Sequence, residues 1–167
     1  MKDVFHTGGE SLKMTNDELT EYVRMFHGTL YRLAFSYVRN CENAEDICQN
    51  AFVKLLGYSG EFASPENCKA WLIRVTINLS KNLLRSKRSM QLEELDENLP
   101  ALEPEEYELL ETVMSLPPRY RAVIHLYYYE GYSVKEIADI IGASVSTVTT
   151  RLSRARERLK DMLLREE

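Results

Sequence analysis

The chain has 167 residues, 44% of them apolar and 28% charged, with a formal net charge of −5. This is the composition of one globular domain or two small ones, and no segment approaches membrane-spanning length. Three cysteines, Cys41, Cys48 and Cys68, are an odd number with no C-x-x-C and no neighbouring histidine pair, which argues against a disulfide scaffold or a zinc site.

Residues 1–14, "MKDVFHTGGESLKM", lack the apolar run of a signal peptide and are expected to form a disordered tail. Thr15 and Glu18 stand at capping-box spacing and predict a helix to about Arg39, with Leu19, Val23, Phe26, Leu30, Leu33 and Tyr37 inward. Asn43 is placed to cap a second helix carrying Ile47, Ala51, Phe52 and Leu55. The loop "GYSGEFASPEN" follows. In it Ser64 and Pro65 form an N-cap with proline at the first helical position, which opens a third helix. That helix carries Trp71, Leu72, Val75, Leu79 and Leu83 and runs into "RSKRS". The three helices define a domain over residues 15–88. Between Lys69 and Arg88 there are six bases (Lys69, Arg74, Lys81, Arg85, Lys87 and Arg88) and no acid.

A linker over residues 89–104 comes next, in the stretch "MQLEELDENLPALEPEE" (90–106), polar, acidic and flexible. Between Ser89 and Pro118 lie nine acids and no base, which leaves 17 acids against 21 bases elsewhere. The acidic total therefore hides a basic remainder, and the local fields, not the sum, decide what the chain can bind.

The second domain, residues 105–167, ends in two helical patterns three residues apart. Ser133 and Glu136 form a capping box, and Val134, Ile137, Ala138 and Ile141 make one apolar stripe. Gly142 can adopt the left-handed conformation that ends a helix, and Ser144 can cap the next. That next helix has its own stripe, Val148, Leu152, Ala155 and Leu159. Two short-linked helices sharing a core in this way form a helix-turn-helix. Off the stripe lie Ser146, Thr147, Thr149, Thr150, Ser153 and Arg154, hydroxyls and a guanidinium with no carboxylate, suited to phosphates and base edges in a major groove. The aromatics from Leu126 to Tyr129, at helical spacing beside this unit, read as core. The three histidines are scattered, and no catalytic triad or carboxylate pair has a suitable setting. The chain is therefore expected to be no enzyme and to need no cofactor or metal.

Taken together, these residues resemble a bacterial RNA polymerase sigma factor of the extracytoplasmic-function (ECF) group. The resemblance runs from about Asp17 to Leu164 and is carried by "AEDICQNAFVKLL" (44–56), "AWLIRVTINLSKNLLRSKR" (70–88) and the stretch 115–159, "SLPPRYRAVIHLYYYEGYSVKEIADIIGASVSTVTTRLSRARERL". A helix-turn-helix alone is shared with many repressors; its pairing with the other two motifs in this order is specific. The resemblance implies an all-α fold of two small helical domains in the cytoplasm. The first would bind the clamp helices of the largest subunit of core RNA polymerase and melt the −10 promoter element. The second would bind the −35 element. An anti-sigma factor is implied as a further partner, and no small-molecule substrate.

Carried over by position, the resemblance puts polymerase binding on Asp46, Gln49 and Phe52; for Phe52 a plain core role is equally open. It puts −10 contacts on Asn78, Lys81, Asn82, Arg85 and Arg88, with the loop from Tyr58 to Ser64. Asparagine offers both donor and acceptor to the edge of an unstacked base, which fits that placement. Many relatives carry Asp where this chain has Asn82. The −35 contacts fall on Ser146, Thr147, Thr149, Thr150, Ser153 and Arg154. Many relatives have Lys or Arg where Thr149 stands, so readout there could rest on its methyl group. Arg151, Arg156 and Arg158 are left to phosphate or solvent. Two other readings stay open on the residues alone: a helix-turn-helix regulator that acts without polymerase, and a helical adaptor whose basic faces dock acidic partners.

Overall fold

The computed structural model describes residues 14–87 and 111–164. Residues 1–13 of the expected tail, the linker placed at 89–104 and the −10 candidate Arg88 lie outside them.

Three long helices make the first half: α1 (Asn16–Val38), α2 (Cys41–Leu56) and α3 (Pro65–Lys87). At the start of α1, Thr15 and Glu18 form the reciprocal capping box, and Arg39 ends the helix in the left-handed region at φ 58°. The cap of α2 is Asn40, not Asn43: the Asn40 side chain accepts from the Asn43 backbone N–H at 2.8 Å. The expected residue is thus the recipient of the cap, one turn in. Ser64 accepts from the Asn67 N–H at 3.2 Å and opens α3 as expected.

Phe26, Leu30, Leu33 and Ala34 of α1 meet Ile47, Cys48, Ala51, Phe52 and Leu55 of α2 in one buried core. Each large apolar side chain sealed there contributes about 1.5–3 kcal/mol. On α3 the buried face differs from the expected one. The fully buried row is Cys68, Leu72, Thr76 and Ser80, flanked by Ile73 and Ile77. Trp71, Val75, Leu79 and Leu83 are only partly buried. Ser80 is satisfied within the helix by donating to the Thr76 carbonyl at 2.8 Å. Burial pushes the Cys48 and Cys68 thiols up to about 12, so both stay protonated, inert core groups.

The second half consists of helical residues 111–115 (α4), α5 (Pro118–Ile124), α6 (Val134–Ile141) and α7 (Val145–Leu163). After α5 the chain widens into a single π-helical turn over His125–Tyr129. Such a turn takes in an extra residue and shifts the faces that follow it. Tyr128 and Tyr129 accordingly stand 57% and 68% exposed, where the sequence pattern suggested core. Both caps of the helix-turn-helix form as expected. Ser133 and Glu136 make their box, Gly142 takes φ 66°, and the Ser144 side chain accepts from the Thr147 N–H.

Charged and polar contacts dock the two halves beside a buried apolar cluster that includes residues of both. Glu130, just beyond the π turn, points its carboxylate at the first half. It accepts from Lys69 Nζ at 3.0 Å and Thr29 Oγ1 at 3.2 Å, with Arg32 Nη2 at 3.7 Å and its own neighbour His125 Nε2 at 3.4 Å. Hydrogen bonding from His125, reinforced by Lys69, holds the Glu130 carboxyl at about 2 despite its burial. Arg74 donates to the Asp139 and Ile140 carbonyls at 2.6 and 3.0 Å, closing the C-terminal end of α6. Arg121 donates to Met114 and reaches the Tyr37 carbonyl at 3.4 Å; burial and the nearby Arg39 pull it down to about 10. Two of the bases that seemed available for phosphate, Lys69 and Arg74, are therefore committed to the other half.

Candidate nucleic-acid and polymerase interfaces

The face of α7 turned away from the core is set by its stripe. Val148, Leu152 and Ala155 are buried, and Ser146, Thr149, Thr150, Ser153 and Arg154 are exposed, with Thr147 half-buried. The Ser144 hydroxyl lies 2.9 Å from that of Ser146 and 2.8 Å from that of Thr147, so the first turn of α7 presents three linked hydroxyls beside its free N–H groups. Thr149 donates its hydroxyl proton to the Val145 carbonyl at 2.9 Å. What it offers outward is a methyl group and oxygen lone pairs, in keeping with an apolar contact and not a charged one.

The arginines of α7 are not equivalent. Arg156 donates to the Tyr128 hydroxyl at 2.8 Å and lies over the Tyr127 and Tyr128 rings. Arg158 lies over the Tyr120 ring at 5.1 Å. Arg151 and Arg154 line an open cavity of about 300 Å³ together with Arg119, Tyr120, Ser146, Thr147 and Thr150. Arg119 and Tyr120 come from α5 and were not singled out by sequence reasoning. Their only local signal is the basic pair in "PPRYR"; the cavity itself exists only once α5 and α7 pack.

On α3, Asn78, Asn82 and Arg85 are exposed on one face, about one, two and three turns beyond Arg74. Lys81 is half-buried. Burial, then the neighbouring Arg151 and Arg85, lower its ammonium below the ordinary value. Lys81 thus confronts a residue of the recognition helix across the two halves. The preceding loop rests on an aromatic cluster: Tyr58 stacks on Phe62 at 4.9 Å, and both pack against Trp71.

Of the three positions on α2, Asp46 and Gln49 are exposed, but Phe52 is 7% exposed and belongs to the core. Helical phase explains this: Phe52 falls in line with Cys48, and the next positions of the Asp46–Gln49 stripe are Val53 and Leu56, both at least half exposed.

A recognition helix whose stretch from Ser146 to Arg154 carries no carboxylate, on one half, and a basic, asparagine-bearing helix on the other define a bipartite helical DNA-binding protein. Residues 22–90 match the family Sigma-70 region 2, and residues 106–159 match Sigma-70, region 4. The chain is 34% identical over 142 residues to the RNA polymerase sigma factor SigV of Bacillus subtilis, covering 82% of this chain and 86% of that one. It is 30% identical over 173 residues to the ECF RNA polymerase sigma factor SigW of the same organism, covering 90% and 91%. Among solved structures, the sigma factor RpoE of Bartonella quintana, in complex with the anti-sigma factor NepR, shares the fold with a TM-score of 0.73 at 24% identity, over 88% of this chain and 97% of that one. The chain belongs to the ECF group of RNA polymerase sigma factors, and its function is promoter-specific transcription initiation with core RNA polymerase. A helix-turn-helix regulator acting alone would leave the match over residues 22–90 without a role. Among the described residues no helix is long and apolar enough to cross a membrane.

Proposed function

We propose that the two halves divide promoter recognition between them. The domain over residues 15–88 engages polymerase and the −10 element, and the domain over residues 105–167 engages the −35 element, the two joined by the acidic linker 89–104. On the first half, Asp46 and Gln49 form the polymerase-binding stripe, extended by the exposed Val53 and Leu56, while Phe52 supports it from beneath. Asn78, Asn82 and Arg85, with Lys81, Arg88 and the loop ahead of α3, meet the unstacked −10 strand. On the second half, Ser146, Thr147, Thr149, Thr150, Ser153 and Arg154 meet the −35 duplex. The observation that carries this reading is the coexistence, on separate helical units, of two donor-rich stretches without a carboxylate, Asn78 to Arg85 on α3 and Ser146 to Arg154 on α7.

The chain works in the cytoplasm as a binding factor, not an enzyme. An anti-sigma factor, as NepR is for RpoE, is the partner that would hold it inactive. The test is co-purification with core polymerase followed by run-off transcription from promoter DNA. The parent is expected to need core enzyme for promoter-specific binding. Asp46→Ala with Gln49→Ala is expected to lose polymerase while keeping its helical circular dichroism. Co-purification at parent level would place the polymerase face elsewhere.

A further inference from the structure

Glycine is needed at different places in this chain for different reasons. Gly131 and Gly142 take positive φ, 71° and 66°, with open space where a side chain would stand. Gly60, in the loop between α2 and α3, has no such φ; what it lacks is room. A Cβ there would fall against the Tyr58 hydroxyl oxygen and lie 2.6 and 2.7 Å from Cζ and Cε1 of the same ring, well inside the roughly 3.5–4.0 Å at which carbon atoms rest. At Gly28 and Gly57 the nearest atoms would stand off at 3.3 and 3.8 Å.

The ring that Gly60 passes over is itself fixed. Tyr58 stacks on Phe62 with ring centroids 4.9 Å apart and leans on Trp71 at 5.0 Å, while Phe62 and Trp71 pack against the buried core. The Tyr58 backbone N–H donates to the Leu55 carbonyl at 3.0 Å, which ties the root of the side chain to the end of α2. The ring therefore cannot swing aside for a side chain at 60 without parting from both neighbours. Ser59, Gly60, Glu61 and Ala63 are exposed, so the loop is an arch with the Tyr58 ring inside it and an open outer surface. Trp71, beneath it, stands about two and three turns before Asn78 and Asn82 on one face of α3. The arch and the asparagines thus lie on one side of that helix.

We propose that Tyr58 and Gly60 are positioning residues for −10 discrimination: the ring is the former on which the arch is shaped, and the missing side chain lets the backbone lie against it. The proposal deepens the −10 reading of this loop and rests on it. Neither residue has to touch a base. They act through the outer residues Ser59 and Glu61, whose places the arch sets before a strand arrives. An arch with one shape cannot readjust to a wrong base, so holding it widens the gap between the matched −10 strand and its variants.

The test uses the full chain, whose single tryptophan is Trp71, first alone and then in holoenzyme with core polymerase. In the chain alone, Gly60→Ala is expected to move Trp71 emission to longer wavelength, with helical circular dichroism at parent level. Tyr58→Ser, which removes the ring, should produce its own shift, and adding Gly60→Ala to it should change nothing further. In holoenzyme, the preference for the matched −10 element over its single-base variants is measured on pre-melted templates. It should fall about fivefold in Gly60→Ala, with no added loss in the Tyr58→Ser background. Parent emission in Gly60→Ala would overturn the close fit of ring and backbone. Equal losses from Gly60→Ala with and without the ring would overturn its action through Tyr58. If emission shifts and discrimination holds while Asn78→Ala loses it, the positioning role is wrong and the −10 reading stands. If Asn78→Ala loses none either, the −10 reading itself falls, and the positioning role with it.

Discussion

The two halves keep their functional side chains available in different ways. In the first, three long helices build a closed core, and the candidate contacts simply occupy the faces that the core does not use: Asp46 and Gln49 on α2, Asn78, Asn82 and Arg85 on α3. In the second, short helices leave less core, and the arginines of α7 are sorted by tyrosines from elsewhere. Arg156 is held by Tyr128, Arg158 lies over the Tyr120 ring, and Arg151 and Arg154 face the cavity. A surface made by leftover faces tolerates repacking beneath it. A surface made by side-chain partnerships does not, because each guanidinium takes its direction from a neighbour.

The sharpest way to break this contrast is in the cores. Leu72→Ala and Leu152→Ala remove side chains that are 0% and 2% exposed. Each is expected to cost roughly 2–5 kcal/mol in denaturant titrations. If the halves differ as described, Leu72→Ala should leave −10 contacts functional at low temperature, whereas Leu152→Ala should degrade −35 discrimination even where the helices remain formed. Equal functional losses per unit of lost stability would erase the distinction.

Next in size is the link between the halves. Glu130→Gln leaves Lys69 facing a neutral partner in a half-buried site, and should weaken docking by about 1–3 kcal/mol. Small-angle scattering should report a larger radius of gyration with unchanged helix content. The pH response has a definite sign. The Glu130 carboxyl is depressed from 4.5 to about 2, so its contribution is complete above about pH 4.5 and is lost as the pH falls toward 2. Scattering that is unchanged by Glu130→Gln at neutral pH would show that Arg74 and Arg121 suffice to hold the halves.

Arg154→Ala is expected to lower −35-dependent transcription by about 1–3 kcal/mol and to blur discrimination among −35 variants. Arg158→Ala, one turn on, should cost less and weaken all promoters alike, as expected for a lost phosphate contact. Abortive transcription on single-base −35 variants at two salt concentrations separates the two effects. A purely uniform loss for both would remove Arg154 from base reading. The smallest expected effect is Ser133→Ala, about 0.5–2 kcal/mol from the lost cap of α6, visible in thermal denaturation and confined to the second half.

Much of this was legible in the sequence where the deciding interactions are local. Capping boxes at Thr15 and Ser133, the left-handed Gly142 and the Ser144 cap each depend on residues three or four apart. On α3 the pattern misled, because its most buried row contains Thr76 and Ser80, two small polar residues that close packing accepts and hydropathy does not flag. Tyr128 and Tyr129 were misplaced because one π turn offsets the helical phase that assigned them to the core. The exposure of Asp46 and Gln49 was legible from their places on α2, and the burial of Phe52 was resolved only by packing. Arg119, Tyr120 and the ring of partners around Glu130 were out of reach, since each draws on helices far apart in the chain.

Glu130 and its partners have a thermodynamic consequence. Docking between two halves of one chain is a unimolecular equilibrium, so its position does not depend on how concentrated the protein is. It shifts with ionic strength, because ion pairs take part in closing it. Any macromolecule that grips the two halves apart meets an apparent affinity reduced by the fraction of molecules already undocked, and one that grips them together meets no such reduction. A single carboxylate thus sets the relative standing of two classes of competitor for the same chain, without touching either.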